Sequence, residues 1–186
     1  MKVKLFSWFI LYFLFFVISC NKSSNTLPLV ETGQQQADIL QLLQQIDSLE
    51  YLSDNVTIVL DFITKAEEFS DSNPEDLMSP EFLYKAALMS MTLAKLSDNK
   101  QATDLYSQKA LSIFDDIERI YPDFSGIKNC MFNKGVVYDD ILRDYKNAEI
   151  YYRTFMAKYP TDTLAINLEI YLQYLGKSPE EILAGK

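Results

Sequence analysis

The chain has 186 residues, 48% of them hydrophobic and 23% charged, the size and balance of one globular domain or two small ones. With 26 acidic against 17 basic side chains the net charge is −9, so a phosphate backbone would be repelled and nucleic acid is not expected as a partner. Histidine is absent and none of the 5 glycines falls in a phosphate-cradling motif, so the commonest catalytic and zinc arrangements are missing and neither enzyme activity nor a metal or other cofactor is expected.

Residues 1–19 read as a signal peptide. Lys2 and Lys4 form a positive n-region, and the apolar run from Leu5 to Ile18 is broken only by Ser7. That run meets Cys20, Asn21 and Lys22 before it reaches the roughly 20 apolar residues a membrane-spanning helix needs. Val17-Ile18-Ser19-Cys20 resembles the bacterial lipobox, and the resemblance implies cleavage before Cys20 and lipidation of its sulfur. Acyl chains there, worth about 0.8 kcal/mol per buried methylene, would tie the protein to a membrane. Residues 20–36 carry Ser23-Ser24-Asn25-Thr26, Pro28, Gly33 and the glutamines 34 to 36, and read as a flexible tether.

From residue 37 the apolar period is helical. Ile39, Leu42, Leu43, Ile46 and Leu49 form one stripe and Ile58, Phe62, Ile63, Ala66 and Phe69 the next, which predicts an N-terminal hairpin over 37–78 with its break at Ser53-Asp54-Asn55. Phe82, Ala86, Leu93 and Leu96, then Tyr106, Ala110, Ile113, Phe114, Ile117 and Tyr121, continue the pattern into 79–186. Asn73-Pro74, Ser79-Pro80 and Ser178-Pro179 each place a capping side chain before a proline and are expected to open helices, with Glu181 completing a capping box on Ser178. Cys130, flanked by Ile127, Met131 and Phe132, reads as a buried core thiol. The carboxylate pairs Glu67-Glu68, Asp115-Asp116, Asp139-Asp140 and Glu180-Glu181 are expected on solvated faces, because adjacent helical residues point about 100° apart and none of these pairs converges.

A longer period appears in the C-terminal half. Gly135 and Tyr138 are followed by Ala148, Tyr152, Phe155 and Pro160, and Ala110, Phe114, Ile117 and Pro122 repeat the last four offsets 38 residues earlier. This spacing resembles the tetratricopeptide repeat, with one extra residue between Tyr138 and Ala148. The resemblance implies an all-α fold of antiparallel helical hairpins stacked as a short right-handed solenoid, closed by a C-terminal capping helix through Leu164, Leu168, Tyr171, Leu172 and Leu175. Leu175 to Leu183 looks like the tail of tetratricopeptide lipoproteins of Bacteroidota; more distantly the repeats are similar to those of the BamD outer-membrane assembly lipoproteins and the Tol-Pal coordinator family.

Those likenesses imply a scaffold on the outer membrane, anchored through Cys20 and facing the periplasm, that binds a protein or peptide of the cell envelope. In such arrays the residues after the glycine and the tyrosine line the concave face, here Val136 and Asp139, with Phe132 and Asn129 on the preceding turns. An apolar floor with an acidic rim would favour a segment carrying one basic residue and one bulky apolar anchor. The alternative class is a carbohydrate- or nutrient-binding helical lipoprotein beside an outer-membrane transporter; the abundance of tyrosine suits a peptide or a carbohydrate binder alike, and core packing is its default explanation.

Overall fold

A computed structural model describes residues 27–184. The signal segment, the lipobox and Cys20 lie outside the described residues. Those described are all-helical, with no strand: α1 (Leu27–Asp47), a 3₁₀ turn (Leu52–Asn55), α2 (Val56–Ser72), α3 (Met78–Leu96), α4 (Lys100–Ile120), α5 (Ile127–Val136), a π-helical turn (Val137–Ile141), α6 (Tyr145–Lys158), α7 (Thr163–Tyr171) and α8 (Pro179–Ala184). From α1 to α7 each helix packs against the next.

The second helices of the first three pairs are built alike. Phe62, Ala66 and Phe69 on α2, Ala110, Phe114 and Ile117 on α4, and Ala148, Tyr152 and Phe155 on α6 all sit at offsets of zero, four and seven, and all nine side chains are buried. A proline follows five residues after the last of each trio, at Pro74, Pro122 and Pro160. The residue before each proline caps its helix with nearly the same backbone: Asn73 at φ −133°, ψ 58°, Tyr121 at −123°, 59° and Tyr159 at −128°, 58°. Each of the three donates its N–H to the carbonyl four residues back, and each of their carbonyls accepts the N–H three residues on, from Asp76, Phe124 and Asp162 at 3.0 Å. Proline dictates this exit, since its ring bars the preceding residue from helical geometry.

Two expected helix starts are thereby corrected. Asn73-Pro74 ends α2 instead of opening α3. Ser79-Pro80 lies inside the first turn of α3, where Ser79 Oγ donates to the Asn73 carbonyl at 2.7 Å; Leu77 stands at the N-cap, and Asp76 Oδ1 just before it accepts the Met78 N–H at 2.8 Å. Ser178 and Glu181 do form the reciprocal capping box, at 2.7 and 3.2 Å, and Asn55 caps α2 where the sequence places the break.

The tether over 20–36 is also corrected, because α1 begins at Leu27 and makes its later part helical. Glutamine is a good helix former, and here tertiary bonds hold the tract against the first exit. Gln36 Nε2 donates to Asp76 Oδ2 at 2.9 Å, Asn73 Nδ2 donates to Gln35 Oε1 at 3.1 Å, and Thr32 Oγ1 donates to Asn73 Oδ1 at 2.9 Å. The N-terminal unit expected over 37–78 therefore reaches back to 27. At the other end the capping helix is shorter than expected. It stops at Tyr171, and Leu172 and Leu175 pack from the turn that follows.

Apolar burial falls into two clusters. The larger runs from Ile39 and Ile46 on α1 through α2, α3 and α4 to Cys130 and Val137, and the smaller gathers Ala148, Tyr152, Phe155, Ala165 and Leu168. Val136 packs against both. The single extra residue between Tyr138 and Ala148 coincides with the π-helical turn: Leu142 N–H reaches five residues back to the Val137 carbonyl at 2.9 Å, and Arg143 follows at φ 55°.

Candidate functional site

A groove of about 400 Å³ opens between the third pair and α7, at the point where the π-helical turn interrupts the helix. Its floor is apolar. Phe132 and Val136 come from α5, Tyr152 from α6, and Leu164 and Leu168 from α7, while Asp139, Asp140, Arg143, Asn167 and Tyr171 supply the polar edge.

Close packing of α5 on α6 positions the floor. A Cβ added to Gly135 would lie 2.4 Å from the Tyr152 ring, so only glycine admits the ring at this approach. Phe132 packs its ring against Tyr152 at 5.8 Å and against Phe155 at 5.7 Å. Burial and aromatic contact thus fix the ring that forms the centre of the floor.

Asp139 is the polar centre. It is only 7% exposed, and its Oδ2 accepts hydrogen bonds from Tyr152 Oη at 3.1 Å and Tyr171 Oη at 2.5 Å. Burial, reinforced by the neighbouring Asp139 carboxylate, raises both phenols above their usual range, that of Tyr171 to about 12, so both remain neutral donors at ordinary pH. The carboxylate therefore ties α7 to the π-helical turn.

Three of the four residues placed on one face by sequence, Phe132, Val136 and Asp139, do line this groove. Asn129 does not. It lies two helical turns, roughly 10 Å, before Val136, where α5 meets α3. There Asn133 Nδ2 donates to Tyr84 Oη at 3.2 Å, and Asn129 acts on the same phenol. The acidic rim is corrected as well: Asp139 is buried rather than solvated, and Asp140 is ion-paired with Lys95 of α3. The other expected surface carboxylates behave more simply, with Glu67 paired to Lys109 and Asp116 to Arg119 at the surface.

Sequence reasoning did not associate Tyr171, Arg143 or Asn167 with the site. The one available signal was the surplus residue before Ala148, which a regular helix cannot absorb without turning neighbouring side chains. On its opposite side α5 is held structurally by Lys134, whose buried Nζ reaches Asp115 and Glu118 at 2.8 Å each and lies 5.1 Å above the Tyr151 ring. Burial lowers the affinity of this amine for its proton, but its hydrogen bonds to Asp115 and Glu118 more than reverse the effect, and it stays charged. Cys130 is fully buried, and desolvation pushes its thiol up to about 12, so it is no nucleophile at neutral pH. Among the described residues no group of three or more acidic or cysteine side chains is arranged to hold a metal ion.

Comparison with family models, with characterised proteins and with solved structures finds no match to the chain.

Proposed function

We propose that the protein is a lipid-anchored scaffold of the cell envelope that binds a protein or peptide through tetratricopeptide-like helical repeats. In this reading Cys20 carries the anchor on the outer membrane, the repeats face the periplasm, and outer-membrane assembly or maintenance is the setting. The observation that carries it is the apolar groove at the π-helical turn, bounded on one side by the best-matching repeat and on the other by α7. The repetition of the buried trio and the proline exit in three successive pairs supports a repeat origin for the fold. A bulky apolar side chain of the bound segment occupies the floor between Phe132 and Leu168.

A photoreactive residue replacing Asn167, exposed on the groove edge, tests the binding role in intact cells. A discrete crosslinked protein that disappears when Phe132→Ala is added supports the reading, and crosslinking that survives Phe132→Ala moves the binding site elsewhere. Cys20→Ala tests the anchor. Membrane association that persists in that variant removes the lipid from the proposal.

The aromatic lining of Phe132, Tyr152 and Tyr171 beside Asp140, Arg143 and Asn167 also fits the second reading, a carbohydrate- or nutrient-binding lipoprotein beside a transporter. Co-purification of an oligosaccharide with no stable protein partner distinguishes it.

A further inference from the structure

The repeated proline exits allow one junction of the molecule to be compared with the next. Lys128 stands six residues after Pro122, and its Nζ pairs with Asp162 of the third exit at 2.7 Å. Six residues after Pro74 the chain has Pro80 in place of a lysine. The junction between the first and second exits therefore has neither partner of that pair, because the place that Asp162 takes, two residues after its proline, is taken by Phe124 in the second exit. It forms a separate groove of about 520 Å³, on which Glu75, Leu77, Pro80, Ile120, Asp123 and Phe124 converge, and no lysine or arginine lines it.

Two features make this groove unlike an ordinary solvated turn. Leu77 is 88% exposed, the most exposed large apolar side chain among the described residues, and Ile120 beside it is 38% exposed. Among the described residues neither Glu75 nor Asp123 has an ion-pair partner, whereas Asp76 is occupied by the Gln36 amide and the Met78 N–H. An apolar floor bordered by uncompensated carboxylates, on a chain of net charge −9, is complementary to a cation attached to an apolar body.

We propose that this junction docks a segment of a partner protein presenting a lysine or arginine beside a bulky apolar side chain. The cation meets Asp123 and Glu75, and the apolar side chain covers Leu77 and Phe124. The site is distinct from the groove at the π-helical turn and does not depend on it.

Panning a displayed library of random heptapeptides against the full chain in detergent tests the proposal. The expected result is enrichment of peptides in which lysine or arginine adjoins leucine, isoleucine or phenylalanine. A synthetic peptide of the enriched sequence should bind more weakly as salt is raised, and at least tenfold more weakly to the Asp123→Lys and Leu77→Ser variants. Both substitutions are at exposed positions, and an unchanged melting transition verifies the fold. No enrichment, enrichment without a basic residue, or equal binding to Asp123→Lys would overturn the proposal. Loss of the peptide on Asn167→Trp, with retention on Asp123→Lys, would also overturn it by assigning the binding to the other groove.

Discussion

Gly135 and Ala148 are the two positions where a single methyl group matters most. Tyr152 is buried and hydrogen-bonded to Asp139, so its ring cannot retreat from a Cβ placed 2.4 Å away. Gly135→Ala should lower stability by about 1–3 kcal/mol through overpacking, despite the roughly 1 kcal/mol that alanine ordinarily contributes to a helix over glycine. Ala148→Leu, at a fully buried site, should cost a similar 1–3 kcal/mol by the same estimate. Thermal melting checks both, and an unchanged transition in either variant would mean that α5 and α6 are less closely packed than described. These positions, and Cys130, were readable in the sequence because a small or apolar residue inside an apolar stripe has one dominant explanation. Asp139 was not. Its charged neighbour Asp140 suggested a solvated pair, and the two phenols that bond to it lie 13 and 32 residues further on, at Tyr152 and Tyr171.

At the level of elements, local rules identified the helical stripes and misjudged the boundaries set by distant contacts. The stripes of α2 and α4 are legible because a 3.6-residue period survives without tertiary information. Asn73-Pro74 failed as a start signal because the same dipeptide can close a helix, and only the Phe69 carbonyl accepting the Asn73 N–H decides between the two. The glutamine tract looked like a tether because its polarity gave no period, yet its amides bond to the first exit. The groove was half legible: the repeat signature placed Phe132, Val136 and Asp139 together, but α7 and the π-helical turn supply the rest of its wall. Tyr171→Phe removes one of the two hydrogen bonds to Asp139, and at this half-exposed position the loss should be about 1–2 kcal/mol. Hydrogen exchange should then accelerate in α7 while α3 and α4 keep their protection. Uniform acceleration across the chain would show that α7 does not open independently.

For the molecule as a whole, titration predicts a flat stability profile with losses at both ends. Burial holds Cys130 at about 12 against a usual 9.0, and burial with the Asp139 contact holds Tyr171 at about 12 against 10.0. Groups raised in the fold stabilise it fully below their usual values, so stability should decline as pH climbs from about 9 towards 12. At the acid end, the Asn147 amide holds Asp144 below its usual 3.8 and the Lys128 ion pair does the same for Asp162, so their contribution is present above that value and fades beneath it. No histidine is present to change charge from roughly pH 5 to 8. Chemical denaturation at pH 6, 8 and 11 should give similar midpoints for the first two and a lower one for the third. A steep change between pH 6 and 8 would contradict this assignment of charge.

The common backbone of the three exits makes the array divisible. Pro74 and Pro122 are entered through the same dihedral angles and the same donated hydrogen bond, so a chain cut after each could be respliced with Pro74 running into Asp123, deleting one whole pair in register. Such a shortened chain would lose the junction at Leu77 and keep the groove at Phe132. The two proposed docking surfaces would then be physically separable, provided that the splice also replaces Asp115 and Glu118, the α4 carboxylates that pair with buried Lys134.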